Sequence, residues 1–117
     1  MEADHAGLQG LLIAWLFERR RKLGIHIFPE LRVQVAPGRF RVPDTTATTR
    51  RIEGRILEEP PFLCIEILSP EDRAAWIENN FDDYLGFGVA HVWIIDPRQK
   101  RAWSYSAEGN REAKRVC

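Results

Sequence analysis

The chain has 117 residues, of which 44% are hydrophobic and 29% are charged, which is typical of one folded domain. Lysine and arginine together number 17, as do aspartate and glutamate, so the formal net charge is zero. This balance excludes a uniformly basic nucleic-acid-binding protein and an acidic disordered chain. We expect a single domain over residues 1–117, with its core at residues 4–106.

The charges are distributed unevenly along the chain. Residues 1–58 carry ten basic and seven acidic side chains, residues 59–97 carry one and eight, and residues 98–117 carry six and two. An acidic segment therefore lies between two basic segments. This pattern is typical of a solvated helix face, and equally of a carboxylate site for a divalent cation with phosphate-binding flanks.

The first predicted element is a helix from Asp4 to Leu23, because leucine and tryptophan recur at helical spacing as far as Gly24. Its apolar run, Gly10–Phe17, is too short to span a membrane. Acidic residues precede that run, whereas a signal peptide begins with basic ones. The two cysteines lack the spacing of a zinc site or a disulfide framework. We therefore expect a cytoplasmic protein without a membrane segment.

Four strands are predicted to follow the helix. Three short ones form a meander at residues 25–28, 31–35 and 39–42. Residues 45–61 are predicted as a loop, although the sequence TTATT at its start is compatible with a strand. The apolar run at residues 62–68 predicts a central strand that is buried on both faces.

A second helix and a strand hairpin complete the chain. Ser69-Pro70-Glu71-Asp72 combines an N-cap residue, a first-turn proline and an acidic capping-box residue. The helix is predicted to end at Gly86–Gly88, and strands are predicted at residues 89–95 and 102–105. The expected fold class is α/β: a mixed central β-sheet flanked by α-helices, in the order helix, three-strand meander, strand, helix, strand hairpin.

Two acidic residues stand out as candidate site residues. Glu66 interrupts an apolar strand, and a buried carboxylate requires a proton, hydrogen bonds or a cation. An arginine partner and a metal ion both meet that requirement. Asp44 follows Pro43 at the end of a predicted strand, where a Pro-Asp pair by itself indicates only a turn. Two carboxylates at adjoining strand ends can hold Mg²⁺ or Mn²⁺, which activates water and polarises phosphate.

Several motifs follow one another in a recognisable order. They are Arg41-Val42-Pro43-Asp44, PFLCIEILSP at 61–70, DYLGFGV at 83–89 and VWIIDP at 92–97. From about Asp4 to Tyr105 the chain resembles the Uma-type putative restriction endonuclease family of the PD-(D/E)XK nuclease superfamily. The resemblance implies a restriction-endonuclease-like core, a Mg²⁺ or Mn²⁺ cofactor, and nucleic acid, expected to be DNA, as the substrate. It also implies that Asp44, Glu66 and the backbone carbonyl of Ile67 are the metal ligands.

The lysine that usually completes such a site is missing. Leu68 occupies its standard position, and Asn80 occupies the position on the following helix that this family uses. Asn80 can hydrogen-bond water or a phosphate oxygen but carries no charge. We therefore expect a metal-dependent nuclease whose catalytic residues are Asp44, Glu66 and Asn80, with impaired turnover. The alternative is a catalytically inactive nuclease-fold module that binds nucleic acid or assembles as a homodimer.

Further residues are candidates for supporting roles. His5 and Gln9 share one face of the first helix, and Arg73 shares a face of the second helix with Asn80. Sequence-independent phosphate binding is predicted for the arginines that bracket Asp44, namely Arg39, Arg41, Arg50 and Arg51. The strand around Trp103–Tyr105 is predicted to be an exposed sheet edge, which favours a homodimer.

Overall fold

The computed structural model describes the backbone of residues 3–68, 73–106 and 109–113, and the side chains of residues 7–68 and 80–106. The described helices are α1 (Ala3–Glu18), α2 (Arg20–Leu23) and α3 (Arg73–Phe87). The described strands are β1 (His26–Pro29), β2 (Arg32–Ala36), β3 (Arg39–Arg41), β4 (Thr45–Thr48), β5 (Ile56–Leu57), β6 (Leu63–Ile67), β7 (His91–Asp96), β8 (Arg101–Ser106) and β9 (Gly109–Ala113).

The main sheet is mixed and has the strand order β1-β4-β6-β7-β8-β9. Strands β6 and β7 are parallel, and every other neighbouring pair in this sheet is antiparallel. A parallel pair needs a crossover connection, and α3 supplies it. The predicted α/β class, with a mixed central sheet and flanking helices, is confirmed.

The predicted meander is wrong in its pairing. Strand β2 pairs with β3 but its other neighbour is β5, in a separate sheet of order β3-β2-β5. Strand β1 pairs instead with β4, which the sequence had assigned to a loop. All four residues of β4 are buried because the strand lies between β1 and β6. Three of its four residues are threonines, so a search for hydrophobic patterns does not detect this buried strand.

The main sheet is covered on both faces, which is why all five residues of β6 are buried. Leu63 and Ile65 pack with Leu16 of α1 in one apolar cluster. Cys64 and Leu68 belong to a second cluster, whose other members include residues of α3, β2 and β7. Glu66 alternates with the first group, so its side chain lies on the α3 side of the sheet.

Two other expectations from the sequence need correction. The first predicted helix is interrupted at Arg19. Helix α2 ends at Leu23, and the positive φ of 67° at Gly24 lets the N–H of this glycine reach the carbonyl of Arg20. The predicted edge strand is β8, which pairs with β7 on one side and β9 on the other. It therefore offers no open edge for a homodimer.

The predicted start of the second helix, residues 69–72, lies outside the described residues. The described part of that helix ends at Phe87, and Gly88 follows with a φ of 99°. Within the described part of the chain, no helix is long and apolar enough to cross a membrane.

Candidate metal site

Asp44, which directly precedes β4, and Glu66 of β6 are brought together where these two strands pair. The antiparallel register of β4 and β6 pairs Thr45 with Ile65. Continued by one residue, it places Asp44 across from Glu66, and directly opposite side chains share a face of the sheet with their Cβ atoms roughly 5 Å apart. The two acids, 22 positions apart in the sequence, are thus brought together by strand pairing.

Hydrogen bonds from three parts of the chain hold Asp44 in place. Its carboxylate oxygen Oδ2 accepts a hydrogen bond from the backbone N–H of Ile67 at 2.7 Å. Its backbone carbonyl accepts one from Gln9 Nε2 at 2.7 Å and one from the N–H of Glu30 at 3.1 Å. Gln9 is buried, so α1 contributes to the site through this side chain. The bond from Ile67 directs the carboxylate towards β6, and the other two hold the backbone of Asp44.

Glu66 is buried, with 8% of its surface exposed. Its Oε1 accepts a hydrogen bond of 3.0 Å from the hydroxyl of Tyr84 on α3. Burial raises the pKa of Glu66, the neighbouring charge of Asp44 raises it further, and the Tyr84 hydrogen bond lowers it, which together give a pKa of about 8. Without a nearby cation, the carboxyl group is therefore mostly protonated at neutral pH.

This pair fits a divalent cation. The buried Glu66 and the half-buried Asp44 repel each other when both are ionised, and a hard cation relieves that repulsion while using oxygen ligands. The Ile67 N–H points to Asp44. Because the N–H and the carbonyl of one strand residue face the same neighbouring strand, the Ile67 carbonyl, the third predicted ligand, faces the Asp44 side as well. Among the described side chains, no group of three or more histidines, cysteines and acids surrounds one point. Mg²⁺ is commonly held by only one or two carboxylates, with water and phosphate completing its shell.

Tyr84 is the site residue that sequence reasoning missed. It lies in the motif DYLGFGV on the second helix, and a tyrosine buried there requires a hydrogen-bond partner for its hydroxyl group. That requirement, together with the unpartnered carboxylate predicted at Glu66, was the signal available. The structure joins the two, so Tyr84 orients one acid of the pair.

The two positions expected to carry lysine both lack a cation. Leu68 is 4% exposed and belongs to the apolar cluster beneath α3. Asn80 is half-buried and precedes Tyr84 by four residues on α3, so both lie on the same helix face. The side chains of His5 and Arg73 lie outside the described residues.

The four predicted phosphate-binding arginines fall into two groups. Arg39 and Arg41 both form ion pairs with Asp83 of α3. Arg50 and Arg51 are exposed and follow the other end of β4, away from Asp44. They line a groove of about 640 Å³ whose walls are formed by residues from the segment 48–60. Nη1 of Arg50 lies 3.7 Å from Oε2 of Glu59. The arginines that bracket Asp44 in sequence are thus separated in space.

The mixed sheet with flanking helices agrees with the restriction-endonuclease-like core expected from the sequence. The sequence profile of the Uma2 family, described as putative restriction endonuclease, matches residues 1–116, and the chain belongs to this family. The crystal structure of a putative nuclease belonging to DUF820 from Anabaena variabilis is similar, with a TM-score of 0.82. The two chains are 22% identical, and the match covers 96% of this chain and 68% of the other. No curated protein matches the sequence.

Proposed function

We propose that the protein is a metal-dependent nuclease that hydrolyses phosphodiester bonds of DNA, with Asp44 and Glu66 as ligands of Mg²⁺ or Mn²⁺. The observation that carries this proposal is the buried Glu66 opposite Asp44, with a pKa raised to about 8 by burial and by the second acid. Membership of the putative restriction endonuclease family supports the same reaction. If Glu66 had only a structural role in β6, an arginine partner would compensate the cost of its burial.

The residues of the chain have separate tasks in this proposal. The Ile67 N–H and Gln9 hold Asp44, and the Tyr84 hydroxyl holds Glu66. Asp44 and Glu66 would hold the divalent cation, and the chemistry it would supply there is polarisation of a phosphate oxygen and activation of water. Asn80, one turn before Tyr84, can donate a hydrogen bond to water or to phosphate.

The exposed Arg50 and Arg51 suit contacts with the nucleic-acid backbone. They lie beyond Thr48, the last residue of β4, which is about 13 Å from Asp44 at the rise of a β-strand. A nucleic acid that reaches both the acidic pair and these arginines therefore spans several nucleotides. Such contacts give binding that weakens as salt concentration rises and depends little on sequence.

The test combines Mn²⁺ titration by calorimetry with cleavage of plasmid and of single-stranded DNA. Glu66→Gln and Asp44→Asn each remove one negative charge at nearly constant volume, and Asp82→Asn removes an exposed carboxylate of α3 as the matched control. We expect the first two variants to lose Mn²⁺ binding and to cleave at least 100-fold more slowly. The Asp82 variant should resemble the wild type. A wild-type protein that neither binds Mn²⁺ nor cleaves DNA contradicts the proposal.

The absence of a lysine favours a second candidate function. The buried, apolar surroundings of Leu68 and the uncharged Asn80 leave both lysine positions without positive charge. On this reading, the protein is a nuclease-fold module that binds nucleic acid through the same surface without cutting it. A wild-type protein that binds Mn²⁺ and a single-stranded oligonucleotide but leaves it intact supports this candidate over the first.

A further inference from the structure

Four consecutive basic residues, Arg19–Lys22, follow directly after α1. We propose that they form a nucleic-acid-binding surface together with Arg50 and Arg51, and that these six cations, the basic cluster, hold phosphates of a strand that also reaches the acidic pair. This inference rests on the proposed function, since it names the surface by which the nuclease holds its substrate. It concerns binding without metal, so its test does not require cleavage.

Strand pairing brings the two basic segments to the same end of the main sheet. Strand β1 begins at His26, whose partner across the sheet is Thr48, the last residue of β4. The carbonyl of Arg20 accepts a hydrogen bond of 3.0 Å from the N–H of Ile25, directly before His26. The hydroxyl of Thr48 donates a hydrogen bond of 2.6 Å to the carbonyl of Arg50. Hydrogen bonds therefore tie both segments to the residues around one strand pair.

Two arginines of the basic cluster are held in fixed orientations. The guanidinium carbon of Arg19 lies 4.0 Å from the ring centroid of Trp15, and Arg19 Nη1 donates to the Trp15 carbonyl at 3.0 Å. Arg20 repeats this arrangement on Phe17, at 3.7 Å from the ring centroid and 2.7 Å from the carbonyl. A guanidinium group that is already ordered loses less conformational entropy when it binds a phosphate.

The end of a helix attracts basic residues for a separate reason, since its last carbonyls carry partial negative charge. Arg19 and Arg20 fulfil this role for α1, because they donate to two of its carbonyls. Arg21 and Lys22 add two exposed cations that this role does not need. These two positions therefore separate nucleic-acid binding from helix stabilisation.

The basic cluster keeps an excess of positive charge. Four acids lie near it, namely Glu18, Glu53, Glu58 and Glu59. The two that contact it, at 3.8 Å from Arg19 and 3.7 Å from Arg50, are more than two-thirds exposed. Water therefore screens both ion pairs, and a phosphate can replace either carboxylate. Six cations against four acids suit a polyanion.

The contacts of the aromatic rings favour a nucleic acid over an anionic membrane. Trp15 and Phe17 are about half exposed, as in a helix that lies on lipid. However, the guanidinium groups of Arg19 and Arg20 cover these rings, so the rings cannot enter a lipid layer without desolvating two charges. Nucleic-acid bases, in contrast, stack on aromatic rings and on guanidinium planes alike.

The position of the basic cluster also suits a strand that reaches the acidic pair. Arg50 and Arg51 follow Thr48, which lies about 13 Å from Asp44 at the rise of a β-strand. About four nucleotides span this distance at 3.4 Å per nucleotide. A nucleic acid of ordinary length can therefore contact both places at once.

The experiment measures binding of a fluorescein-labelled DNA oligonucleotide, single-stranded and duplex, by anisotropy in EDTA across a range of salt concentrations. Arg21→Gln with Lys22→Gln removes two charges of the basic cluster. Arg98→Gln with Lys100→Gln removes two exposed charges between β7 and β8, at the opposite end of the sheet, and is the matched control. The exchange Arg21→Lys with Lys22→Arg keeps both charges.

The salt dependence gives the expected result its size. Each phosphate contact contributes about 0.7 to 0.9 to the slope of log affinity against log salt, so losing two lowers the slope by about 1.4 to 1.8. At about 0.1 M salt that loss weakens binding about 25-fold or more. Arg50→Gln with Arg51→Gln should have an effect of the same size. The control and the charge-conserving exchange should both stay within about threefold of wild type.

Three results overturn the inference. The first is a slope that Arg21→Gln with Lys22→Gln lowers no more than the control does. The second is a charge-conserving exchange that weakens binding as much as the glutamine variant, because the effect then comes from structure. The third is a wild type that binds phosphatidylserine vesicles but no oligonucleotide. A wild type that binds DNA through the basic cluster but binds no Mn²⁺ supports this inference and overturns the nuclease proposal.

Discussion

The stability of the metal-free protein should depend on pH through Glu66. In the folded protein, burial and the charge of Asp44 raise the pKa of this residue from 4.5 to about 8. The folded state therefore keeps a proton on Glu66 at pH values where the unfolded chain has released it. The stability that this proton provides is complete below pH 4.5 and is lost as the pH rises through about 8.

The expected effect is large because each unit of pKa difference corresponds to about 1.36 kcal/mol. The rise from 4.5 to about 8 makes the folded state ~5 kcal/mol less stable well above pH 8 than it is in acid. Glu66→Gln removes this penalty, since the amide is neutral at every pH and its oxygen can still accept the Tyr84 hydrogen bond. The variant should match the wild type within ~1 kcal/mol at pH 5 and exceed it by ~5 kcal/mol at pH 9.

Urea unfolding in EDTA, followed by circular dichroism from pH 5 to pH 9, measures this difference directly. Asp44→Asn should reduce the pH dependence, because it removes the second charge that raises the Glu66 pKa. Asp82→Asn, an exposed change on α3, should leave it as in the wild type. A difference between Glu66→Gln and wild type that stays constant from pH 5 to pH 9 would refute the assignment of a buried, proton-holding Glu66.

Two further predictions follow from single positions. Asn80→Lys restores a cation one turn before Tyr84, and we expect Mn²⁺-dependent cleavage in a plasmid assay to rise at least tenfold; equal activity in both proteins would contradict the view that the missing lysine limits turnover. Thr45→Val removes a buried hydroxyl group that has no hydrogen-bond partner among the described residues, so urea unfolding should show stability unchanged or raised by ~1 kcal/mol. A loss of more than ~1 kcal/mol there would indicate that the hydroxyl is satisfied.

Local sequence signals identified the elements whose burial is uniform or periodic. The apolar run around Ile65 predicted a central strand, and the structure has β6 there with every residue buried. The same signals failed for residues 45–48, because threonine side chains form β4 without an apolar pattern. They also predicted that β1 pairs with β2, whereas it pairs with β4. A sequence pattern shows that a strand exists but not which strand it pairs with.

The site residues also include some that the sequence identified and others that only the structure revealed. A carboxylate within an apolar strand identified Glu66, and the motif order added Asp44 and the missing lysine. Nothing local connected Tyr84 to Glu66 or Arg41 to Asp83, because both contacts join elements that are distant in the sequence. Arg41 and Arg50 were predicted to act together because both are close to Asp44 in the sequence. In the structure, β4 lies between them, so they are at opposite ends of this strand.

The sequence by itself determined the class of fold, which depends on local periodicity, and its resemblance to the Uma-type family pointed to the two acids and to the missing lysine. Only the tertiary structure decided which charges act together. The zero net charge conceals an acidic segment between basic ones, and the fold brings Arg41 of the first basic segment onto Asp83 of the acidic one. Electrostatic interactions depend on distance and burial, and strand pairing and helix packing set both.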